Sequence, residues 1–248
     1  MREELPILYR DDCLIAVHKP TGLLVHRSNL DRHETRFALQ ILRDQIGRMV
    51  WPVHRLDKGT SGVLLFALDR DVGRALSSQF ERGEVDKTYL AVVRGHPPES
   101  GEIDYPLARM ADEHAGVTAG LPAQAALTRY RRLATVELPY QVDRYLSSRY
   151  ALLELKPLTG RWHQLRRHLK HLSHPIIGDA THGKGRHNRL FQELFDCRRL
   201  LLAATEMHLN HPVSGEALHL AAPPAEDFRR VVEKLGWDIV APVFKAAV

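Results

Sequence analysis

The stretch Met49-Val50-Trp51-Pro52-Val53-His54-Arg55-Leu56-Asp57-Lys58-Gly59-Thr60-Ser61-Gly62-Val63-Leu64-Leu65-Phe66-Ala67-Leu68 falls into three pieces. Its two ends are apolar runs, too short for helices and rich in strand formers, so Met49 to Val53 and Val63 to Leu68 read as strands. The middle, His54 to Gly62, carries Asp, Lys, Ser and two Gly, which are poor in strands and good in turns. A tight connection that presents Asp57 at the end of a sheet is therefore expected. A carboxylate there is partly buried yet reachable, with Arg55 two residues earlier and on the same side if the strand persists. Such a group, ionised and oriented, can act as a nucleophile or a base. The alternative is that Asp57 simply caps the turn, and spacing alone does not choose between the two.

Toward the N-terminus, Ile7 to Tyr9 and Leu14 to His18 read as short strands around Asp11-Asp12, and Lys19-Pro20-Thr21-Gly22 turns the chain into Leu23 to His26. Apolar residues from Thr35 to Ile46 recur at a helical period. Beyond the opening stretch, Asp71 to Arg82 repeats that period and Gly83 ends it. Lys87 to Arg94 alternates between two largely apolar faces, which predicts a strand buried on both sides. His96 to Ala126 is rich in Pro, Gly and Ala without period, an excursion with at most short strands. Thr128 to Glu137 and Arg149 to Leu155 alternate as strands. Thr159 is expected to cap a helix from Arg161 to about Leu172, and Asn188 a shorter one to about Cys197. Leu200 to Leu209 returns to a strand, and Ala225 to Leu235 closes as an amphipathic helix. These elements lack a βαβ rhythm. They predict the α+β class: a single domain on a largely antiparallel mixed sheet with flanking helices, its core at about 8–237 and a C-terminal tail at 238–248.

The chain has 248 residues, 44% of them hydrophobic, enough for a sizeable core, so wholesale disorder is excluded. A net charge of +5 suits a polyanionic partner. Its distribution says more: Arg161 to Arg199 holds nine Lys or Arg against three Asp or Glu, a surplus larger than that of the whole chain. Cys13 and Cys197 are the only cysteines, too few for a disulfide framework or a four-thiolate metal site, so a cytoplasmic location is expected. The first residues lack the apolar segment of a secretion signal, and no apolar run approaches the roughly 18 residues of a membrane span.

HRLDKGTSGVLLFA, residues 54–67, closely resembles the His-Arg-Leu-Asp-x-x-Thr-Ser-Gly signature of the pseudouridine synthases related to the RluA group. Lys87-Thr88-Tyr89 resembles that family's Lys-x-Tyr strand. Gly160-Arg161-Trp162-His163-Gln164-Leu165-Arg166 and His174-Pro175-Ile176-Ile177-Gly178-Asp179 resemble its Gly-Arg-x-His-Gln-Leu-Arg and His-Pro-Ile-x-Gly-Asp blocks. The blocks stand in the family's order, and the similarity runs from about Leu8 to Pro223. It implies that Asp57 is the catalytic aspartate, that Arg166 pairs with it, and that Tyr89 both stacks on the base and moves a proton. It further implies that Arg55 enters the space left by a flipped uridine and that Ile177 supports the flipped base. His54, Lys87, Arg161, His163 and Gln164, inside the blocks, are expected to contact RNA. Lys184, Arg186 and Arg189, in the basic run from Thr181 to Arg189, are expected to lie along phosphates.

The activity implied is the isomerisation of one tRNA uridine, with uridine 65 as the candidate and ribosomal RNA as the alternative within the family. The 181–189 run departs from the aromatic-Gly ending common in the wider family, so the choice of RNA rests on similarity. No cofactor is expected, because an isomerisation needs neither redox equivalents nor a nucleotide. Many relatives carry a small S4-like RNA-binding domain before the catalytic one; here catalytic sequence begins almost at once and none is expected. No protein partner is implied, and a monomer is expected.

Three other readings were open to the same residues. His163, His168, His171 and His174 suggest a metal, but no carboxylate or thiolate stands at a standard zinc spacing, so none is expected. Asp57-Lys58-Gly59-Thr60 resembles in outline the aspartyl-phosphate motifs of phosphotransferases, which also need further magnesium-binding acids and a parallel α/β core. A non-catalytic RNA-binding module would use the basic surface alone. Asp57 argues against it, since a carboxylate in a basic groove weakens phosphate binding.

Overall fold

The computed structural model describes residues 3–27, 33–108 and 122–237. The expected tail at 238–248 lies outside the described residues, as do positions 109–121 of the excursion after His96. In chain order the strands are β1 (Ile7–Arg10), β2 (Leu14–Lys19), β3 (Trp51–Pro52), β4 (Ser61–Ala67), β5 (Asp86–Arg94), β6 (Ser100–Asp104), β7 (Leu127–Leu138), β8 (Ser148–Pro157), β9 (Leu202–Asn210) and β10 (Ala217–Ala221). The helices are α1 (Ala38–Ile46), α2 (Arg70–Arg82), α3 (Gln164–His171), α4 (Gly185–Phe195) and α5 (Glu226–Lys234). They form two compact units, neither of them one continuous stretch: 3–87 with 203–225, and 88–202 with 226–237.

In the first unit β2 runs antiparallel to both β1 and β4, β3 adds two residues to β4, and β10 is antiparallel to β9. β4 meets β9 in a parallel pairing of Ser61 with Ala203 and Gly62 with Ala204. Every residue of β4 is buried, so its faces divide by parity. Val63, Leu65 and Ala67 join a cluster with Leu14, Ala16, Met207 and Leu76 of α2, while Leu64 and Phe66 fill the opposite face. α2 starts where Asp69 accepts the amides of Asp71 and Val72 at 2.8 and 3.2 Å, and stops at Gly83 in the left-handed conformation. A cap of that kind stabilises a helix by about 1 kcal/mol.

The second unit orders its strands β5-β8-β7-β6, each pair antiparallel. β5 is buried on both faces as its pattern predicts. Leu165 and Leu169, one helical turn apart on α3, pack on Ala91, Val93, Ala151, Leu153 and Leu155. Burying each leucine contributes about 1.5–3 kcal/mol, and that contact fixes which way α3 turns its remaining side chains.

The α+β class on a largely antiparallel mixed sheet is borne out. Four local expectations are corrected. β3 keeps only Trp51 and Pro52 of the expected Met49 to Val53 strand, since Pro52 has no N–H for a ladder. α3 begins at Gln164 rather than Arg161, because His163 adopts φ +52° and the Gln164 side-chain oxygen already takes the Arg161 amide at 2.9 Å. Thr159 therefore does not cap it; its hydroxyl donates to that same oxygen at 2.7 Å. α4 starts at Gly185, so Asn188 lies inside its first turn and not at its cap. β10 is not singled out by the sequence reading, although Ala217-Leu218-His219-Leu220-Ala221 carries the period of two that could have shown it.

Candidate active site

Asp57 sits in a turn closed by the Thr60 amide donating to the Asp57 carbonyl at 3.0 Å, with Leu56 and Thr60 buried and Asp57 half-buried between them. This is the partly buried, reachable carboxylate that the opening stretch predicts. Arg55 is exposed. The turn is held from outside by the Lys19-Pro20-Thr21-Gly22 segment. The Thr21 hydroxyl donates to the Gly59 carbonyl at 2.8 Å, and the Gly22 amide donates to the Lys58 carbonyl at 2.8 Å. Lys19 is fully buried, its ammonium donating to the carbonyls of Pro20, Leu23 and Lys58 at 2.9, 2.6 and 3.3 Å.

The sequence does not single out Lys19. The signal was a lone cation ending the apolar run of β2, at a position that β2's alternation turns inward. Replacing it, as in Lys19→Met, strands the buried Leu23 carbonyl at a cost of about 1–3 kcal/mol and removes the link to the Lys58 carbonyl. Thermal unfolding should show a melting temperature lowered by several degrees. An unchanged melting temperature would mean that the clamp is not holding the turn.

Gly62 closes the same turn from below. At φ +114° it occupies a conformation that side chains avoid, and a Cβ there would stand 1.9 Å from the Ala204 carbonyl oxygen. The glycine of Thr60-Ser61-Gly62 thus lets β4 approach β9 directly behind the Asp57 turn.

In the second unit Arg166 emerges from α3 beside Leu165 and is 8% exposed. Its Nε and Nη2 donate to the two carboxylate oxygens of Asp179 at 2.7 and 2.8 Å. Asp179 also accepts the amides of Thr181 and His182 at 2.9 and 2.8 Å. Burial pushes the Asp179 carboxyl upward, but the Arg166 hydrogen bond and the His182 and Thr181 amides outweigh it, leaving the pKa below the ordinary carboxylate value. The sequence places Asp179 in a recognised block without giving it a role. Tyr89 lies half-buried on β5 against the cluster of Leu153 and Leu155. Ile177, expected to support a flipped base, is 2% exposed, with its amide donating to the Val92 carbonyl at 2.9 Å.

Several residues expected at RNA have work inside the protein. His54 Nε2 accepts the Leu65 amide at 3.0 Å and its ring stacks on Phe80, while burial, with nearby Lys87, pushes its pKa down to about 3. It is therefore neutral and offers no charge to a phosphate. Lys87 is half-buried, its pKa lowered by burial. Gln164 is the clearest correction: its amide donates to the Leu127 carbonyl and the Thr128 hydroxyl, both at 3.0 Å, and its oxygen accepts from Thr159 and Arg161. That uses both donors and both lone pairs, so Gln164 is a brace. Arg161 Nε donates to the Ala125 carbonyl at 3.1 Å. His163 Nδ1 lies 3.0 Å from His182 Nε2, and its ring stacks under Trp162 at 3.4 Å between centroids. A non-glycine residue at φ +52° costs on the order of 1 kcal/mol, so His163 is held there by these neighbours.

The basic segment divides in the same way. Arg166 and Arg199 are buried on Asp179 and Asp227, whereas Lys170, Lys184, Arg186, Arg189 and Arg198 are exposed. His168, read from sequence as part of an RNA-facing surface, is fully buried, with its nitrogens 2.9 Å from the Thr128 hydroxyl and 3.0 Å from the Tyr105 carbonyl.

Two other clusters among the described residues bring three metal-ligating side chains together: Asp11, Cys13 and His211, and Glu206, His208 and His219. In the first, His211 Nδ1 accepts the Val213 and Ser214 amides, so Nε2 carries the proton and donates to Asp11 at 3.0 Å. In the second, the imidazoles lie parallel, 4.1 Å apart, and parallel rings share no in-plane point for one ion. No described helix is long and apolar enough to cross a membrane.

The family model for RNA pseudouridylate synthases matches residues 13–171, well over half of the chain. The chain belongs to the RNA pseudouridylate synthase family, and it is an isomerase. It is 52% identical over 240 residues to the tRNA pseudouridine synthase C of Yersinia pestis, covering 96% of this chain and 93% of that one. With the tRNA pseudouridine synthase C of Haemophilus ducreyi it shares 50% identity over 235 residues, or 94% and 97% of the two chains. Among solved structures, human RNA pseudouridylate synthase domain containing 4 matches with a TM-score of 0.70 at 29% identity, over 93% of both chains.

Proposed function

We propose that this protein is a tRNA pseudouridine synthase that isomerises uridine 65, with Asp57 as the catalytic carboxylate. The observation that carries this reading is the match at about half identity, along nearly the full length, to enzymes named for tRNA. The half-buried carboxylate on a clamped turn supplies the chemistry that such a reaction needs. The target uridine leaves its stack, at a cost of a few kcal/mol, and exposed Arg55 fills the space. With Asp57 ionised, the bond between N1 and C1′ breaks, the uracil turns, and C5 bonds to C1′. The proton leaving C5 is matched by one gained at N1, so no cofactor enters the balance. Tyr89 stacks on the base and carries the C5 proton away. Arg166 orients Asp57, since a planar guanidinium can fix a carboxylate by two parallel hydrogen bonds. A reaction of this kind on tRNA belongs in the cytoplasm.

Mapping pseudouridine in tRNA and ribosomal RNA from cells lacking this protein tests the substrate. Loss confined to tRNA position 65 is expected; loss in ribosomal RNA alone would overturn the assignment.

The exposed cations Lys184, Arg186 and Arg189 are proposed to lie along tRNA phosphates. If they do, the logarithm of affinity falls with that of salt concentration by roughly 0.7–0.9 per contact, and Arg186→Ala and Arg189→Ala each remove about one such unit. Titrations at several salt concentrations read this directly. Slopes equal to wild type in both variants would turn this face away from RNA.

A further inference from the structure

We infer that Asp179 is a positioning residue for Arg166, fixing the orientation of its guanidinium for the reaction; this rests on the proposed role of Arg166 in orienting the catalytic carboxylate. A guanidinium carries five N–H donors in one plane. Asp179 takes the Nε hydrogen and one Nη2 hydrogen, fork to fork, at 2.7 and 2.8 Å. The two Nη1 hydrogens and the second on Nη2 lie on the other edge and are not used by Asp179. Because only one orientation of the fork satisfies both oxygens, the torsions of the long Arg166 side chain are fixed together.

The carboxylate in turn cannot follow the arginine. One of its oxygens also accepts the amides of Thr181 and His182. The Asp179 carbonyl accepts the Gly183 amide at 3.1 Å and Asn188 Nδ2 at 3.0 Å, while Asn188 Oδ1 takes the Gly178 amide at 2.8 Å. Gly178 itself stands at φ +80°, with its would-be Cβ 1.8 Å from the Arg199 carbonyl oxygen. Asp179 is therefore fixed at its backbone on both sides, and Arg166 must come to it.

Electrostatics points to geometry as the contribution. A second carboxylate on Arg166 weakens the pull of its charge on any other anion, so a site built only for attraction would leave Asp179 out. Stability is also a poor reason for the pair, because buried ion pairs are often no more stabilising than apolar replacements.

The test uses the full chain and unmodified tRNA, measuring single-turnover rate, tRNA affinity and melting temperature for wild type, Asp179→Asn, Arg166→Lys and the double variant. Asparagine keeps the shape but sets an NH₂ group against Nε–H or the loop amides, donor against donor. The expected single-turnover rate of Asp179→Asn is about 100-fold below wild type, the effect of misplacing a reacting group by about 1 Å. Affinity should not change, and the double variant should be no slower than Arg166→Lys alone. A folded Asp179→Asn that reacts at the wild-type rate, or a double variant that shows the product of both losses, overturns the inference while leaving Arg166 in place. An Arg166→Lys variant that reacts like wild type overturns the role of Arg166 and this inference with it. If Asp179→Asn does not fold, Asn188→Ala carries the test. It loosens the backbone at Gly178 and Asp179 while leaving the Asp179 carboxylate in place, and should slow the reaction only where Arg166 is present; slowing that persists with Arg166→Lys overturns the proposal.

Discussion

Asp57→Asn should reduce pseudouridine formation to background while tRNA affinity stays equal or improves. Asparagine is as good a turn residue as aspartate, and the hydrogen bond that closes this turn uses the backbone of residue 57, so the turn itself should persist in the variant, and thermal unfolding reads its folded fraction. Affinity should hold or rise, because the change removes a negative charge facing a polyanion. In the proposed mechanism, bond breaking at C1′ needs the ionised carboxylate, which an amide cannot replace. Single-turnover assays with binding and thermal unfolding on the same preparation separate the three quantities. Measurable turnover by the folded asparagine variant would remove Asp57 from the chemistry, and equal losses of binding and rate would make it a binding residue.

Tyr89 is proposed to have two roles, and one substitution separates them. Tyr89→Phe keeps the ring, which is half-buried against Leu153 and Leu155, and so keeps stacking on a flipped base worth about 1–3 kcal/mol. It removes the hydroxyl proposed to take the proton from C5, and losing a positioned acid or base costs roughly 100- to 10,000-fold. Near-normal tRNA binding with that loss of rate is the expected result. Tyr89→Ala should lose binding as well. If Tyr89 were only a core residue, both variants would melt early and activity would follow the folded fraction. A stable phenylalanine variant reacting at the wild-type rate would strike Tyr89 from the mechanism.

What was legible in the sequence follows from how local the cause is. The Asp57 turn between two strands could be read because turn formers replace strand formers within a few residues. The same holds for α2, whose cap Asp69 and stop Gly83 lie beside it in the chain. The start of α3 was misplaced because its determinant is a side chain reaching back: Gln164 occupies the amide and hydroxyl that an earlier start would have used. Gln164 and His168 looked like RNA-facing polar residues, since sequence gives no sign that Thr128 and Leu127, nearly forty positions earlier, would meet them.

Among candidate site residues, the roles of Asp57, Tyr89 and Arg166 came with the recognised blocks, whereas Lys19 lies outside those blocks and Asp179, though inside one, carried no role there. Lys19 acts on a carbonyl of residue 58 and Asp179 on a guanidinium of residue 166. Each is a long-range pairing that periodicity cannot report. Their chemistry leaves one trace: a charge placed where burial is expected, which implies a partner elsewhere in the chain.

The most direct test of the account is to incubate the purified protein with an unmodified tRNA transcript, without added cofactor, and map pseudouridine at nucleotide resolution. One pseudouridine at position 65, absent when Asp57→Asn replaces the wild-type protein, is the predicted result. A transcript that remains unmodified, or one modified equally by the asparagine variant, would contradict it.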